Sequence, residues 1–231
     1  AALEGERVSH VLVTHHHLDH SPMAKVLAAK HGCKVHARPP RNLAPTGGEV
    51  RMEAGNDLGF RPDEIVEEGA RYSGPDWTIR AWHTPGHTSN HVCYALEDEN
   101  VLFCGDHVMA WSTSVVSPPD GDMGDYIAQL ERIRAAGFDR LWPTHGPSVD
   151  DPDAFLAAYI AHRRAREAQI LAQLASGPQG VREMVAAMYQ DVDKRLHPAA
   201  AHSVLAHLVD MVRRGEIACD GDATLDAVYR L

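Results

Sequence analysis

Val8-Ser9-His10-Val11-Leu12-Val13 runs straight into Thr14-His15-His16-His17-Leu18-Asp19-His20, and the junction between the two decides the fold. The first run is short, β-branched and apolar, as a buried strand is, and it ends abruptly in polar residues that read as a loop at the strand's C-terminal end. Ser21-Pro22 then offers an N-cap and an N1 proline for a helix through Met23, Val26, Leu27 and Ala28, closing near Gly32. The order strand, polar loop, helix is the signature of an α/β unit that presents chemistry at the end of a strand. In an extended loop alternate residues face the same way, so His15 and His17 converge on one ion, His16 points elsewhere, and Asp19 with His20 reaches a second ion. Imidazole and carboxylate ligands suit zinc, and a catalytic zinc keeps one position open for water.

The same motif recurs downstream in a different form: further strands also end in a potential ligand. Trp77 to Thr84 leads into Pro85-Gly86-His87-Thr88, Val101 to Cys104 leads into Gly105-Asp106, and Leu141-Trp142 leads into Pro143-Thr144-His145-Gly146. Glycine in these turns lets backbone approach a metal closely. His91 to Leu96 is another strand, with Glu97 to Asn100 as a polar turn. Tyr126, Ile127, Leu130 and Ile133 recur at helical spacing up to Gly137, while Arg38 to about Arg71 is punctuated by Pro and Gly and predicts long loops that shape a substrate cleft. The catalytic unit is expected over 1–151, a connecting helix over 152–176, and after the Ser176-Gly177-Pro178-Gln179-Gly180 break a small module over 177–231. In that module helices over Val181–Tyr189 and Ala199–Arg214, then a hairpin around Ala218-Cys219 and Gly221-Asp222, suggest a winged helix.

At these residues the chain resembles the metallo-β-lactamase superfamily, which carries H-x-H-x-D-H, a later His in a P-G-H-T turn, an Asp and a final His in that order. The resemblance covers about residues 8–150 and implies a four-layer αββα sandwich. It implies His15, His17 and His87 on a first zinc, Asp19, His20 and His145 on a second, and Asp106 bridging both. Catalysis would then use a hydroxide shared by the two ions, with Asp19 and Asp106 as catalytic carboxylates; iron or manganese are the alternative metals. The superfamily places several strands before the first motif, so the expected sandwich lacks the N-terminal part of its first sheet. T-H-H-H-L-D-H, T-P-G-H-T, F-C-G-D-H and the winged-helix-like tail are most similar to the β-lactamase-like protein 2 group. That group includes a single-strand RNA endonuclease and has fungal relatives that release polyketides as thioesterases. The resemblance therefore implies hydrolysis of a phosphodiester in single-stranded RNA or of an acyl thioester, with a glyoxalase-II-like thioesterase or lactonase as the alternative enzyme and a zinc-stabilised nucleic-acid-binding module as the alternative outside catalysis.

Composition narrows the partners. With 22 Lys+Arg against 32 Asp+Glu the net charge is -10, so no broad basic surface draws the chain to nucleic acid or anionic membrane. Residues 152–231 hold 9 basic and 10 acidic side chains, leaving 13 and 22 for 1–151, so the tail is the less repulsive half for a polyanion. Arg163, Arg164, Arg166, Arg213 and Arg214 are its candidate phosphate contacts, and a solvated helix face explains them equally. A winged helix also serves dimer contacts, which makes a homodimer an expected partner state. Cys33, Cys93, Cys104 and Cys219 form no C-x-x-C pair, which suits free thiols and a cytoplasmic location. No apolar run approaches the roughly 20 residues of a membrane span. His83, His91 and His107 flank the candidate ligands, where hydrogen bonds that orient a ligand compete with ordinary packing. The remaining histidines carry no ligand pattern, and Cys104 is expected to pack rather than react.

Overall fold

The computed structural model describes residues 5–41 and 55–231. Residues 42–54, inside the stretch expected to form long loops, lie outside the described part. β1 (His10–Leu12), β2 (Lys34–Ala37) and β3 (Glu64–Ile65) form a three-stranded parallel sheet in the order β1-β2-β3. β4 (Arg71–Ser73), β5 (Thr78–His83), β6 (Val92–Leu96), β7 (Val101–Gly105) and β8 (Arg140–Pro143) form a second sheet in sequence order, antiparallel except for the parallel β7–β8 pair. α1 (Pro22–His31), α2 (Met123–Ala136) and α3 (Pro152–Leu174) cover the outer faces.

Three apolar seams explain the layering. Ala24 and Ala28 of α1 pack on Val13, Val35 and Ala37 of the first sheet. Val66, Ala81, Val92 and Tyr94, with Leu12, Ile79 and Phe103 beside them, fill the space between the sheets. Leu102, Cys104 and Leu141 of the second sheet meet Tyr126, Ile127, Leu130 and Ile133 of α2 and Leu156 and Tyr159 of α3. The chain is thus an αββα sandwich, and alternating residues of β6 and β7 serve the seams on either side of the second sheet in turn.

The helix ends obey the sequence, with one exception. Asp122 caps α2 by accepting from the Asp125 amide, and Gly137 closes that helix in the left-handed region. Ser21 does not cap α1 through its side chain; its hydroxyl bonds the His17 carbonyl and the Asp57 carboxylate instead, so it ties the ligand loop to residues 55–60. No periodicity announces two-residue β3, which exists because it pairs with β2.

The C-terminal module contains β9 (Gln179–Gly180), α4 (Val181–Met188), α5 (His197–Arg213), β10 (Ala218–Cys219) and β11 (Val228–Arg230). β10 pairs with β11 rather than with residues just after Gly221, and β11 also pairs with β9, giving a three-stranded wing in the order β10-β11-β9. Val181, Met184, Val204, Leu208, Met211 and Tyr229 form its own core. α5 also docks on the sandwich: Ala206 belongs to the core under the second sheet, and Arg213 grips Asp122 with bonds of 2.6 and 2.9 Å. Among the described residues no helix is long and apolar enough to cross a membrane.

Candidate metal centre

β1, β5, β7 and β8 all end at one edge of the sandwich, and the residues that follow them meet there. The Val92 amide donates to the Thr14 carbonyl at 2.8 Å, and the Tyr94 hydroxyl donates to the Val13 carbonyl at 3.0 Å, which locks the end of the first sheet onto the second. Gly105, at φ +53°, leaves no room for a side chain: a Cβ would sit 2.7 Å from His91 Nε2 and 3.0 Å from Thr14 Cβ. Gly86, at φ +139°, lies against the backbone of Tyr126, where a Cβ would approach Cα to 2.4 Å. Gly105 thus sets the Asp106 turn against Thr14 at the start of the His-rich loop, and Gly86 seats the His87 turn on α2.

The seven residues expected as ligands fall into two groups that share Asp106: His15, His17, His87 and Asp106, all buried, and Asp19, His20, Asp106 and His145. In each group the candidate ligand atoms lie within 4.8 Å of one another. His15 Nε2, His17 Nδ1 and His87 Nε2 are 3.0, 3.3 and 3.3 Å apart. A tetrahedral ion with metal–nitrogen bonds of about 2.0–2.1 Å separates its ligand atoms by about 3.3 Å, so this triangle has the size of one zinc face. Asp106 Oδ2 stands 3.9 Å from His15 Nε2, 3.3 Å from His20 Nε2 and 3.6 Å from His145 Nε2, between the two groups. Asp19 reaches His20 at 3.4 Å and His145 at 3.3 Å.

The donor set fits cations. Burial, and after it the neighbouring imidazoles, pushes His15 well below its ordinary pKa and His17 down to about 2, so both offer lone pairs at neutral pH. Burial opposes ionisation of Asp106, yet His20, His87 and His145 outweigh it and hold the carboxyl below the usual range. Its Oδ1 is buried without a hydrogen-bond partner among the described residues. A buried carboxylate oxygen lacking a donor is costly unless a cation faces it.

Other bonds aim the ligands. The His87 Nδ1–H donates to the Val115 carbonyl at 2.7 Å, leaving Nε2 toward the centre, and His15 Nδ1 meets the Thr14 hydroxyl at 3.0 Å. His91 accepts from the Asp106 amide at 3.2 Å through Nε2, and its Nδ1 pairs with the Thr84 hydroxyl at 2.9 Å. It therefore orients a carboxylate rather than an imidazole. His83 bonds the Ser89 carbonyl, and both His107 ring nitrogens are buried without a hydrogen-bond partner among the described residues. His16 joins neither group; it is buried, and its Nδ1 meets Asn90 Oδ1 at 2.8 Å, which staples the His-rich loop to the turn after His87.

Sequence reasoning missed Thr14, Asn90, the Val115 carbonyl and Trp111, whose ring stacks on His145 at 5.9 Å. The five tail arginines are engaged within the chain. Arg163 is buried and donates to the Ser114 carbonyl, Arg164 pairs with Glu131 and Glu167, and Arg166 bonds Gln169 and lies over Tyr189. Arg213 pairs with Asp122 and Asp210, and Arg214 with Asp210, Glu167 and Glu216.

Comparison with known proteins agrees with this architecture. The family model described as the metallo-beta-lactamase superfamily matches residues 1–145, and the one described as the beta-lactamase associated winged helix domain matches residues 181–225. A beta-lactamase-like protein 2 homolog of Drosophila melanogaster is 31% identical over 225 residues, covering 93% of this chain and 72% of the fly protein. An atrochrysone carboxyl ACP thioesterase of Aspergillus aculeatus is 32% identical over 167 residues, covering 72% of this chain, which spans about half (47%) of that relative. The crystal structure of a metallo-beta-lactamase family protein from Thermus thermophilus superposes with a TM-score of 0.76 at 21% identity, over 99% of this chain and 82% of that one, a likeness of fold alone. With its first 145 residues matching the family model and its C-terminal module matching the associated winged helix, the chain belongs to the metallo-beta-lactamase superfamily of metal-dependent hydrolases.

Proposed function

We propose that this chain is a binuclear zinc-dependent hydrolase of acyl thioesters, and the observation that carries the reading is the pair of His/Asp groups joined by Asp106. Divalent ions in such groups supply a water acidic enough to be activated near neutral pH and polarise the scissile carbonyl. Asp106 keeps the two groups in register because its Oδ2 faces both. Asp19 is the carboxylate of the set with the most access to solvent, 38% of its side chain exposed, so it is placed to accept a proton from the attacking water. The water oxygen forms the new C–O bond as the C–S bond breaks. One water proton passes through Asp19 to the departing thiolate, and the other is released when the product acid ionises. No step needs Cys104: it is fully buried, and burial pushes its thiol well above the ordinary value.

Thioesters are favoured over RNA because a similar protein is named as an acyl-carrier thioesterase and because the tail arginines are taken up by partners within the chain. Cleavage of single-stranded RNA is the second reading, favoured by the winged-helix match. Assays of the zinc-loaded protein against an acyl thioester, a single-stranded RNA and a lactone in parallel test the choice. Thioester turnover with about two zinc ions per chain by elemental analysis is expected; RNA cleavage with the thioester untouched overturns it, and iron or manganese in the native protein revises the metal. The same reading divides the chain into a catalytic unit at 1–151, a connector at 152–176 and a C-terminal unit at 177–231. It also takes the protein as cytoplasmic, in keeping with four unpaired cysteines, and as a homodimer, which light scattering checks.

A further inference from the structure

Trp111 is 70% exposed, an unusual position for the largest apolar side chain, and its ring lies nearly parallel to His145, 25° between planes at a centroid distance of 5.9 Å. The exposure does not come from a loose loop. The Ala110 amide donates to the His145 carbonyl at 3.0 Å, and Gly146 leaves no gap over Ala110, where a Cβ would meet its methyl at 2.7 Å. Two residues before Trp111, the Met109 amide is held by the Tyr159 hydroxyl of α3 at 3.1 Å. The backbone leading to the indole is pinned to a ligand turn and to a helix, while the indole is left in water beside the more open ligand group. Leu18, between His17 and Asp19 in the chain, is also exposed, at 44%. Two loops from different elements therefore each set an apolar side chain next to metal ligands, on a chain of net charge -10.

We propose that Trp111 is a substrate-binding platform that stacks the planar acyl group of the substrate and so selects aromatic or conjugated acyl thioesters; this rests on the thioester reading above. His145 covers one face of the indole, so the acyl group would stack on the other, where an aromatic face prefers an offset parallel partner. Stacking platforms for single-stranded RNA are paired with a cationic track for the backbone, and the candidate arginines for such a track are engaged elsewhere. An uncharged planar acyl group needs no such track.

The test compares Trp111→Ala and Trp111→Phe with the parent, all zinc-loaded, on benzoyl and acetyl thioesters of N-acetylcysteamine. The alanine variant is expected to lose about tenfold in kcat/KM for the benzoyl ester, carried by KM, while the acetyl ester changes less than about twofold and the phenylalanine variant keeps most of the preference. Independently of turnover, a phenacyl thioether, in which a methylene between the aryl carbonyl and sulfur leaves no thioester bond to hydrolyse, should quench indole emission in the parent, and Trp111→Phe should lose that quench. Equal losses on both esters, loss of bound zinc in the alanine variant, or impaired RNA cleavage with thioesters unchanged each overturn the proposal. A parent that hydrolyses neither ester sinks the thioester reading, whereas the quenching experiment still decides whether Trp111 holds a planar ligand.

Discussion

The two ligand groups that share Asp106 are built differently. In the first, His15, His17, His87 and Asp106 are all buried, and the Thr14 hydroxyl and the Val115 carbonyl aim two of the imidazoles. In the second, Asp19 and His145 keep 38% and 31% of their side chains exposed, and the solvent-facing Trp111 stacks on His145. The cause lies in the topology. His15, His17 and His87 sit where the two sheets close on each other, whereas Asp19 lies two residues beyond His17 on its loop and His145 follows β8, the edge strand of the second sheet. On the reading proposed above, an enclosed group would retain an ion and an open one would exchange ligands with substrate and water.

Removing the shared member should have the largest effect. Asp106→Ala is expected to lower hydrolysis about a thousandfold, several kcal/mol of lost stabilisation, and to reduce bound metal below one ion per chain by elemental analysis. Near-parental turnover would show that the groups do not depend on their bridge. Next, His17→Ala and His145→Ala separate the two. After dialysis His145→Ala should keep about one ion, and His17→Ala should keep less, because its loss opens the enclosed triangle; equal stoichiometry would erase the distinction.

A pH series on chelated protein sharpens the comparison further. Burial holds His17 at about 2 and His107 at about 3 in the folded chain, and it keeps His15 and His91 well below their ordinary values. Unfolded histidine takes a proton below about 6.5, so the unfolded chain binds more protons and stability falls as pH drops from about 6.5 toward those values. At the tail Glu167 behaves differently: burial opposes it, yet His207, Arg164 and Arg214 hold it at about 2. Its contribution is present above the unfolded value of about 4.3 and is lost as pH falls toward 2. Trp77, Trp82, Trp111 and Trp142 all precede residue 152, so indole emission should change at a higher pH than tail helicity seen by circular dichroism. Coincident transitions would mean that the halves unfold as one. The smallest effect is expected for Thr14→Val, which removes the partner of His15 and should weaken zinc binding about tenfold in a competition titration.

Most of the site could be read in the sequence because its members follow strands. A short apolar run followed by a turn that carries a His or Asp, with a glycine beside it in three of the four cases, leaves a local trace at residues 14–20, 84–88, 103–106 and 141–146. The bonds that aim those members leave none. His16 and Asn90 are 74 residues apart, and the Val115 carbonyl belongs to no motif. Likewise β3 and β11 are too short to show a period of their own and are defined by their partners. The Ser21 hydroxyl was legible as a cap by type, but tertiary partners at His17 and Asp57 compete with the helix end for it.

The segment between β7 and α2 belongs to both halves of the molecule. Its Val115 carbonyl orients His87, while its neighbours Ser114 and Ser117 are held by Arg163 of α3 and His202 of α5. The tail is therefore masonry in the wall of the candidate metal centre. Grafting a foreign C-terminal module onto this sandwich would replace the stones behind a ligand, so the two parts are not interchangeable cassettes, and changes in helix packing far from the ions become a way to tune them.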